Sequence, residues 1–105
     1  MNIQFKKGVL ELCVLALLSK KDMYGYDISE VLSRRIQIAD GTVYPLLRKL
    51  RDEGMVKTYV VEESNGPPRK YYSLTELGRE EFAKTLGEWN EFSENVKIII
   101  GGNYE

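Results

Sequence analysis

The chain has 105 residues, of which 43% are hydrophobic and 30% are charged, and this size and composition indicate one compact soluble domain with little room for a second. Its formal net charge of −1 argues, taken as a total, against binding to nucleic acid. The total conceals an asymmetry, however, because residues 1–75 carry 12 Lys and Arg against 9 Asp and Glu, whereas residues 76–105 carry 3 against 7. The sequence therefore combines a mildly basic body with an acidic C-terminal segment.

Several classes of function are disfavoured by what the sequence lacks. It has no histidine, no glycine-rich phosphate loop and no cluster of Cys, His and Asp at metal-ligand spacing, so we expect no enzymatic activity, no metal and no cofactor. The single cysteine, Cys13, lies in an apolar run, and we interpret it as a small buried hydrophobe in a reducing compartment. No apolar run approaches the ~18–20 residues that cross a bilayer, so we expect a cytoplasmic protein without membrane contact.

Apolar residues spaced three and four apart predict three helices in the first half of the chain. The first spans residues 3–19 and is apolar on more than one side, which is typical of a central helix that touches its own domain and also a partner. A loop over residues 20–25 separates it from a second helix over residues 26–36. After a short turn, a third helix is predicted over residues 42–53.

The start and the end of the third helix carry recognisable signals. Asp40 and Thr42 are both candidate N-caps, and Pro45 lies near enough to the start to be tolerated, because the first amides of a helix lack intrahelical acceptors. Gly54 is placed where a C-terminal glycine ends a helix. These signals favour a short, well-bounded helix.

Two strands and a long helix complete the predicted elements. Residues 55–62 and 69–74 are rich in β-branched and aromatic side chains, which favours strands, and the loop between them contains Pro67 and Pro68. The two prolines therefore restrict the loop of the hairpin, and the cations Arg69 and Lys70 follow it directly. Thr75 is a candidate N-cap for a helix that can run to residue 100, which is roughly 40 Å at 1.5 Å per residue.

The order of two helices, a turn, a third helix and a hairpin is that of a winged helix-turn-helix module. We predict an α+β, mainly α fold, with residues 1–75 as the DNA-binding domain and residues 76–105 as a C-terminal dimerisation helix. The first turns of the third helix present Thr42, Tyr44, Arg48 and Lys49, which suit contact with base edges and phosphates. Ordinary structural interpretations stay open, because exposed cations also form solvated helix faces or protect strand edges.

Three blocks of the sequence resemble the PadR family of transcriptional regulators. They are YGYDI at residues 24–28, GTVYPLLRKL at residues 41–50 and RKYYSLTELG at residues 69–78. The resemblance implies a winged helix with a C-terminal dimerisation element, and it implies repression as the usual activity. The chain is similar to the short branch of the family, which has a single C-terminal helix. By this resemblance the residues at or near DNA are Tyr24, Thr42, Tyr44, Arg48, Lys49, Pro67, Pro68, Arg69 and Lys70.

The last predicted helix carries a continuous apolar stripe. Its members are spaced 4, 3, 3, 4 and 3 residues apart, and they are Phe82, Leu86, Trp89, Phe92, Val96 and Ile99. A domain of this size cannot cover the whole stripe, so we expect a second copy of the chain to cover it. A homodimer also suits a palindromic operator, because two recognition helices are then related by one two-fold axis.

Trp89 lies in the middle of this stripe and has two interpretations. It is either an aromatic residue of the dimer core or, with Phe92 and Glu88, the platform for a planar aromatic or cationic effector. The multidrug-sensing members of the short branch are similar in carrying a tryptophan on this helix. The sequence thus predicts a homodimeric repressor of double-stranded DNA, open to release by such an effector. The alternative is a winged helix that binds only proteins, without direct DNA readout.

Overall fold

The computed structural model describes residues 3–39 and 41–105, and side chains from residue 8 onward within those ranges. Asp40, one of the two candidate caps, lies outside the described residues. The elements, in chain order, are α1 (Ile3–Lys20), β1 (Met23–Tyr24), α2 (Gly25–Ile36), α3 (Val43–Asp52), β2 (Val56–Val61), β3 (Arg69–Leu74) and α4 (Glu76–Gly101). This order confirms the mainly helical winged fold, and the bounds of the predicted helices and strands are met to within one residue.

The short strand β1 is absent from the prediction, which placed a loop over residues 20–25. Met23 pairs with Tyr72 and Tyr24 pairs with Tyr71, so β1 adds a third antiparallel strand in the order β1-β3-β2. Two residues are too few to show the alternation by which strands are recognised. The strand exists because β3 offers it a ladder of backbone partners, which is a tertiary property.

The core is built around α1, which contacts α2, α4 and β3. Leu10, Leu12 and Val14 are buried on it together with Leu15 and Leu18, so the prediction that this helix is buried on more than one side is confirmed. The other buried apolar residues come from β1, α2, α3 and the hairpin, and they are Met23, Ile28, Leu32, Val43, Leu47, Leu50, Val56, Tyr72 and Leu74.

Cys13 lies at the edge of this core instead of inside it. Its side chain packs against the core cluster but remains partly exposed, because it faces a shallow groove between α1 and α2. Burial nevertheless raises the pKa of its thiol. The prediction that Cys13 is buried was therefore wrong, although the residue does pack against the core as a small apolar contact.

The ends of α3 differ in how well the sequence predicted them. Thr42 occupies the N-cap position, but its side chain makes no capping hydrogen bond. At the other end Gly54 has φ of +79°, a left-handed conformation that favours glycine. The Met55 amide donates to the Leu50 carbonyl at 2.9 Å, which closes the helix end. The predicted glycine stop is confirmed.

The first turn of α4 is held against the turn that follows α3. The Thr75 hydroxyl accepts from the Gly78 amide at 3.0 Å, which confirms the predicted cap, and it donates to the Gly54 carbonyl at 2.6 Å. A Cβ atom on Gly78 would lie 2.1 Å from the Met55 carbonyl oxygen. This close backbone approach fixes where the long helix leaves the domain.

Replacing Gly78 with alanine is expected to lower the free energy of unfolding by about 1–3 kcal/mol, the range for overpacking a filled site. Gly87→Ala is the matched control, because it lies on the same helix with nothing within 4 Å of the added methyl, and it should stabilise the chain by up to about 1 kcal/mol. Thermal or urea unfolding measures both. Equal effects of the two substitutions would contradict the backbone contact.

Candidate nucleic-acid interface

Helix α3 has two faces with different surroundings. Val43, Leu47 and Leu50 are buried in the core, and this anchors the helix without using its polar side chains. Tyr44 and Arg48, one turn apart, are exposed on the opposite side. The helix therefore presents a polar edge on a rigid support, which recognition of a macromolecular surface requires.

A groove of about 360 Å³ runs between α3, the start of α2 and the wing, which we define as β2, β3 and the loop between them. Every charged residue that lines it among those described is a cation. It brings together Tyr24, Tyr44, Arg48, Pro68 and Lys70, five of the residues predicted to contact DNA, and its remaining lining residues are Gly25, Tyr26, Arg51 and Tyr72.

Arg51 was not among the residues predicted to contact DNA. It lies three residues after Arg48, so the two side chains share one side of α3, and this spacing was the signal that could have found it. The Arg51 guanidinium lies 3.3 Å from an Asp52 carboxylate oxygen, on the rim of the groove. Within the described residues, the cations that line the groove are thus Arg48, Arg51 and Lys70.

Arg69 connects the wing to the start of α2. Its guanidinium carbon lies 5.1 Å from the centroid of the Tyr24 ring, a cation–π distance, and its Nε lies 3.7 Å from a Glu63 oxygen. Arg69 does not line the groove itself but lies beside it. Pro67 is exposed in the wing loop and is likewise outside the groove lining.

Thr42 and Lys49 lie apart from the other predicted residues. They border a different hollow, shared with Leu10 and Pro45, where α3 meets α1. There the Lys49 ammonium forms an ion pair with the Glu11 carboxylate. The helical rotation of about 100° per residue separates Lys49 from its neighbour Arg48, so the structure divides the predicted set between two sides of α3.

A cluster of tyrosines joins the wing to β1. The Tyr59 and Tyr71 rings stack with centroids 5.7 Å apart, and Tyr24 meets Tyr71 edge to face at 6.1 Å. The Tyr59 hydroxyl donates to an Asp22 oxygen at 2.7 Å, and this hydrogen bond lowers the pKa of Asp22 and raises the pKa of Tyr59. The hairpin is therefore fastened to β1 by aromatic and charged contacts.

Helix α4 carries the apolar stripe on a partly exposed side. Phe82, Leu86 and Val96 are half-buried, whereas Phe92 is 53% and Ile99 62% exposed. The exposure of Trp89 is 37%, and the Glu88 side chain is exposed. The terminal part of α4 thus presents large apolar side chains to its surroundings.

The described ranges contain no group of three or more acidic, cysteine or histidine side chains placed to hold a metal ion. Within the same residues, none of the helices is both long enough and apolar enough to cross a bilayer.

Taken together, helix α3, the cationic groove and the wing define a winged helix-turn-helix protein. The model of the transcriptional regulator PadR-like family matches residues 14–84, and the chain belongs to this family. It is accordingly a transcriptional regulator and not an enzyme.

Individual relatives agree with this assignment. A solved structure from Streptococcus mutans has a TM-score of 0.87 and 35% identity, covering 94% of this chain and 92% of that one. The negative transcriptional regulator PadR of Bacillus subtilis is 32% identical over 93 residues, which are 85% of this chain but 51% of the relative. The structure of Bacillus subtilis PadR in complex with operator DNA has a TM-score of 0.66 and 30% identity, covering 74% of this chain and 46% of that chain. This chain therefore spans about half the length of the Bacillus subtilis regulator.

The bond between Asp22 and Tyr59 gives a pH-dependent prediction. Because the pKa of Asp22 is lowered by folding, its contribution to stability is present above the unfolded pKa, about 3.9, and is lost as the pH falls through the lower folded pKa. Wild type should therefore exceed Asp22→Asn in free energy of unfolding at pH 6, and the difference should shrink toward pH 3. Urea unfolding at several pH values measures it.

Tyr59→Phe should weaken the same pH dependence without abolishing it, since it removes the largest cause of the lowered pKa of Asp22 but leaves the hydrogen bond with Ser73. Glu62→Gln is the control, because it removes an exposed carboxylate of the wing that makes no side-chain hydrogen bond or ion pair within the described part of the chain. An Asp22→Asn difference that stays constant from pH 6 to pH 3 would contradict the assigned role of this bond.

Proposed function

We propose that this chain binds double-stranded DNA through the groove between α3 and the wing, and that it represses transcription as a homodimer on a palindromic operator. The observation that carries the proposal is the groove itself, because the charged residues of its described lining, Arg48, Arg51 and Lys70, are all cations in a chain of net charge −1. The operator complex of the Bacillus subtilis relative supports DNA as the ligand.

The proposed roles follow from where each residue lies. Tyr44 and Arg48 project from the exposed side of α3 and would meet base edges and phosphates in the major groove. Lys70, Arg69 and the exposed prolines of the wing would follow the adjacent backbone. The other predicted contacts would reach flanking phosphates: Tyr24 from the lining of the groove and Thr42 and Lys49 from the other side of α3, Lys49 only after leaving Glu11. Residues 1–75 form the DNA-binding domain in this proposal.

Residues 76–105 would supply the dimer interface. The half-exposed stripe on α4 leaves apolar area in contact with water, and its burial against a second copy would contribute about 25 cal/mol per Å². The chain's own core already covers the start of the stripe, where Phe82 packs against it, so the residues from Leu86 onward would supply most of the interface. Two copies joined along α4 would present two recognition helices on one two-fold axis, which matches a palindromic operator.

The same stripe suggests how DNA release would be controlled. Trp89 and Phe92 are both partly exposed, and two copies of each at a two-fold axis would provide flat apolar walls for a planar aromatic or cationic effector. Glu88 beside them would favour a cation. The competing interpretation, in which Trp89 serves only as dimer core, is separated from this one by ligand binding.

Arg48→Ala and Arg69→Ala are each expected to weaken binding to the chain's own upstream DNA by about 1–3 kcal/mol, with the oligomeric state unchanged. The slope of log affinity against log salt should lose about 0.9 for each phosphate contact removed. Fluorescence anisotropy measures both quantities, and sedimentation measures the oligomer.

Arg35→Ala is the matched control, because it removes an exposed cation from the end of α2, where Arg35 borders the α1–α2 groove. It should leave DNA affinity nearly unchanged. Wild-type affinity in the Arg48 and Arg69 variants would refute the assigned interface. Wild-type binding that shows no salt dependence or no preference over random duplex would favour the alternative of a winged helix that binds only proteins.

Trp89 is the one tryptophan of the chain, so its fluorescence reports on the proposed effector site alone. Planar cationic dyes and neutral phenolics are expected to quench this fluorescence and to weaken DNA binding over the same range of ligand concentration. Trp89→Phe, which keeps an apolar ring, should retain the dimer and lose the effect of the dye on DNA affinity. Quenching without a change in DNA affinity would contradict effector control, and no quenching across the panel would leave Trp89 as core.

A further inference from the structure

Three cations at or near the proposed DNA surface each meet a carboxylate of the chain itself. Arg51 lies against its neighbour Asp52, and Arg69 lies 3.7 Å from Glu63 in the wing. Lys49 differs from both, because its partner Glu11 belongs to another helix and is 38 residues away in the sequence. The Lys49–Glu11 pair is thus the one of the three that depends on tertiary packing between two helices.

The two partners of this ion pair have different surroundings. The Glu11 side chain is 28% exposed and the Lys49 side chain 55% exposed, so the carboxylate is the more buried partner. Glu11 is flanked on α1 by the buried residues Leu10 and Leu12, which prevents the helix from turning it away. The ammonium is therefore drawn from α3 toward α1.

The ion pair also keeps the Lys49 ammonium protonated and bound to a carboxylate. Its hydrogen bond and charge interaction with Glu11 raise the pKa of Lys49, so the side chain is a cation at neutral pH. A carboxylate and a phosphate both bind an ammonium through anionic oxygens. A DNA phosphate that approaches α3 from this side must therefore compete with Glu11 for Lys49.

We infer that Glu11 limits non-specific DNA binding: it holds Lys49 in an ion pair that a phosphate of DNA of any sequence must break before it binds the ammonium. The inference rests on the proposed DNA-binding function. Phosphate contacts carry no sequence information and supply most of non-specific binding. An ion-paired Lys49 makes one phosphate contact fewer, which lowers non-specific affinity. Arg48 and the other cations of the groove still bind DNA.

The experiment compares wild type, Glu11→Gln, Lys49→Gln and the double variant in binding to a duplex of random sequence. Anisotropy titrations over about 50–200 mM salt yield the affinity and the salt slope. Glu11→Gln is expected to bind about 1.5- to 5-fold more tightly at the lowest salt, the range set by an exposed ion pair. Its slope should become more negative by up to about 0.9, the value for one more neutralised phosphate.

The double variant isolates the pair from the simple loss of a negative charge. In the Lys49→Gln background, Glu11→Gln should have no effect on affinity or slope, because no ammonium remains to be released. Glu53→Gln is the matched control, since Glu53 acts on Lys49 by charge alone and not by a hydrogen bond. It should leave the slope unchanged.

Thermal unfolding checks that each variant is folded before its binding is compared. A folded Glu11→Gln variant with wild-type affinity and slope, with weaker binding, or with the same effect in both lysine backgrounds would overturn the inference. Failure of the proposed function is a separate result, because wild type itself would then show no salt-dependent DNA binding.

Discussion

The burial of α1 is the constraint on which the rest of the structure depends. This helix is apolar along more than one side, and its leucines and Val14 join residues of α2, α3 and the sheet in one core. Burial of such side chains contributes roughly 1.5–3 kcal/mol each, so no arrangement that exposes α1 can compete. Helices α2 and α4 pack directly against it.

The orientation of α3 follows from this core and in turn creates the groove. Because Val43, Leu47 and Leu50 are committed to the core, Arg48 and Arg51 have only the outer side of the helix left to them. The wing borders the groove through Pro68 and Lys70, and ring contacts among Tyr24, Tyr71 and Tyr59 hold the hairpin to β1. The polar surface is thus rigid because its supports are apolar and aromatic.

Charge placement explains how a chain with a net charge of −1 presents a cationic surface. The acidic residues of α4 lie beyond the wing domain in the sequence, and those near the groove, such as Asp52 and Glu63, are engaged with arginines. Interactions between exposed charges fall off within about 8–10 Å at ordinary salt. The local sign of the surface therefore matters more than the total.

The sequence by itself determined the helices, the hairpin and the family, because helical periodicity, the glycine after α3 and the Thr75 cap are local signals that act within a few residues. It also indicated Tyr44 and Arg48, since residues off the apolar face of an amphipathic helix must point outward. Only the tertiary structure decided which of the outward residues share a surface. The strand β1, the place of Arg51 in the groove and the pairing of Lys49 with Glu11 all depend on contacts between segments distant in the chain. Such contacts leave no periodic trace, because they are set by how elements pack and not by how residues are spaced.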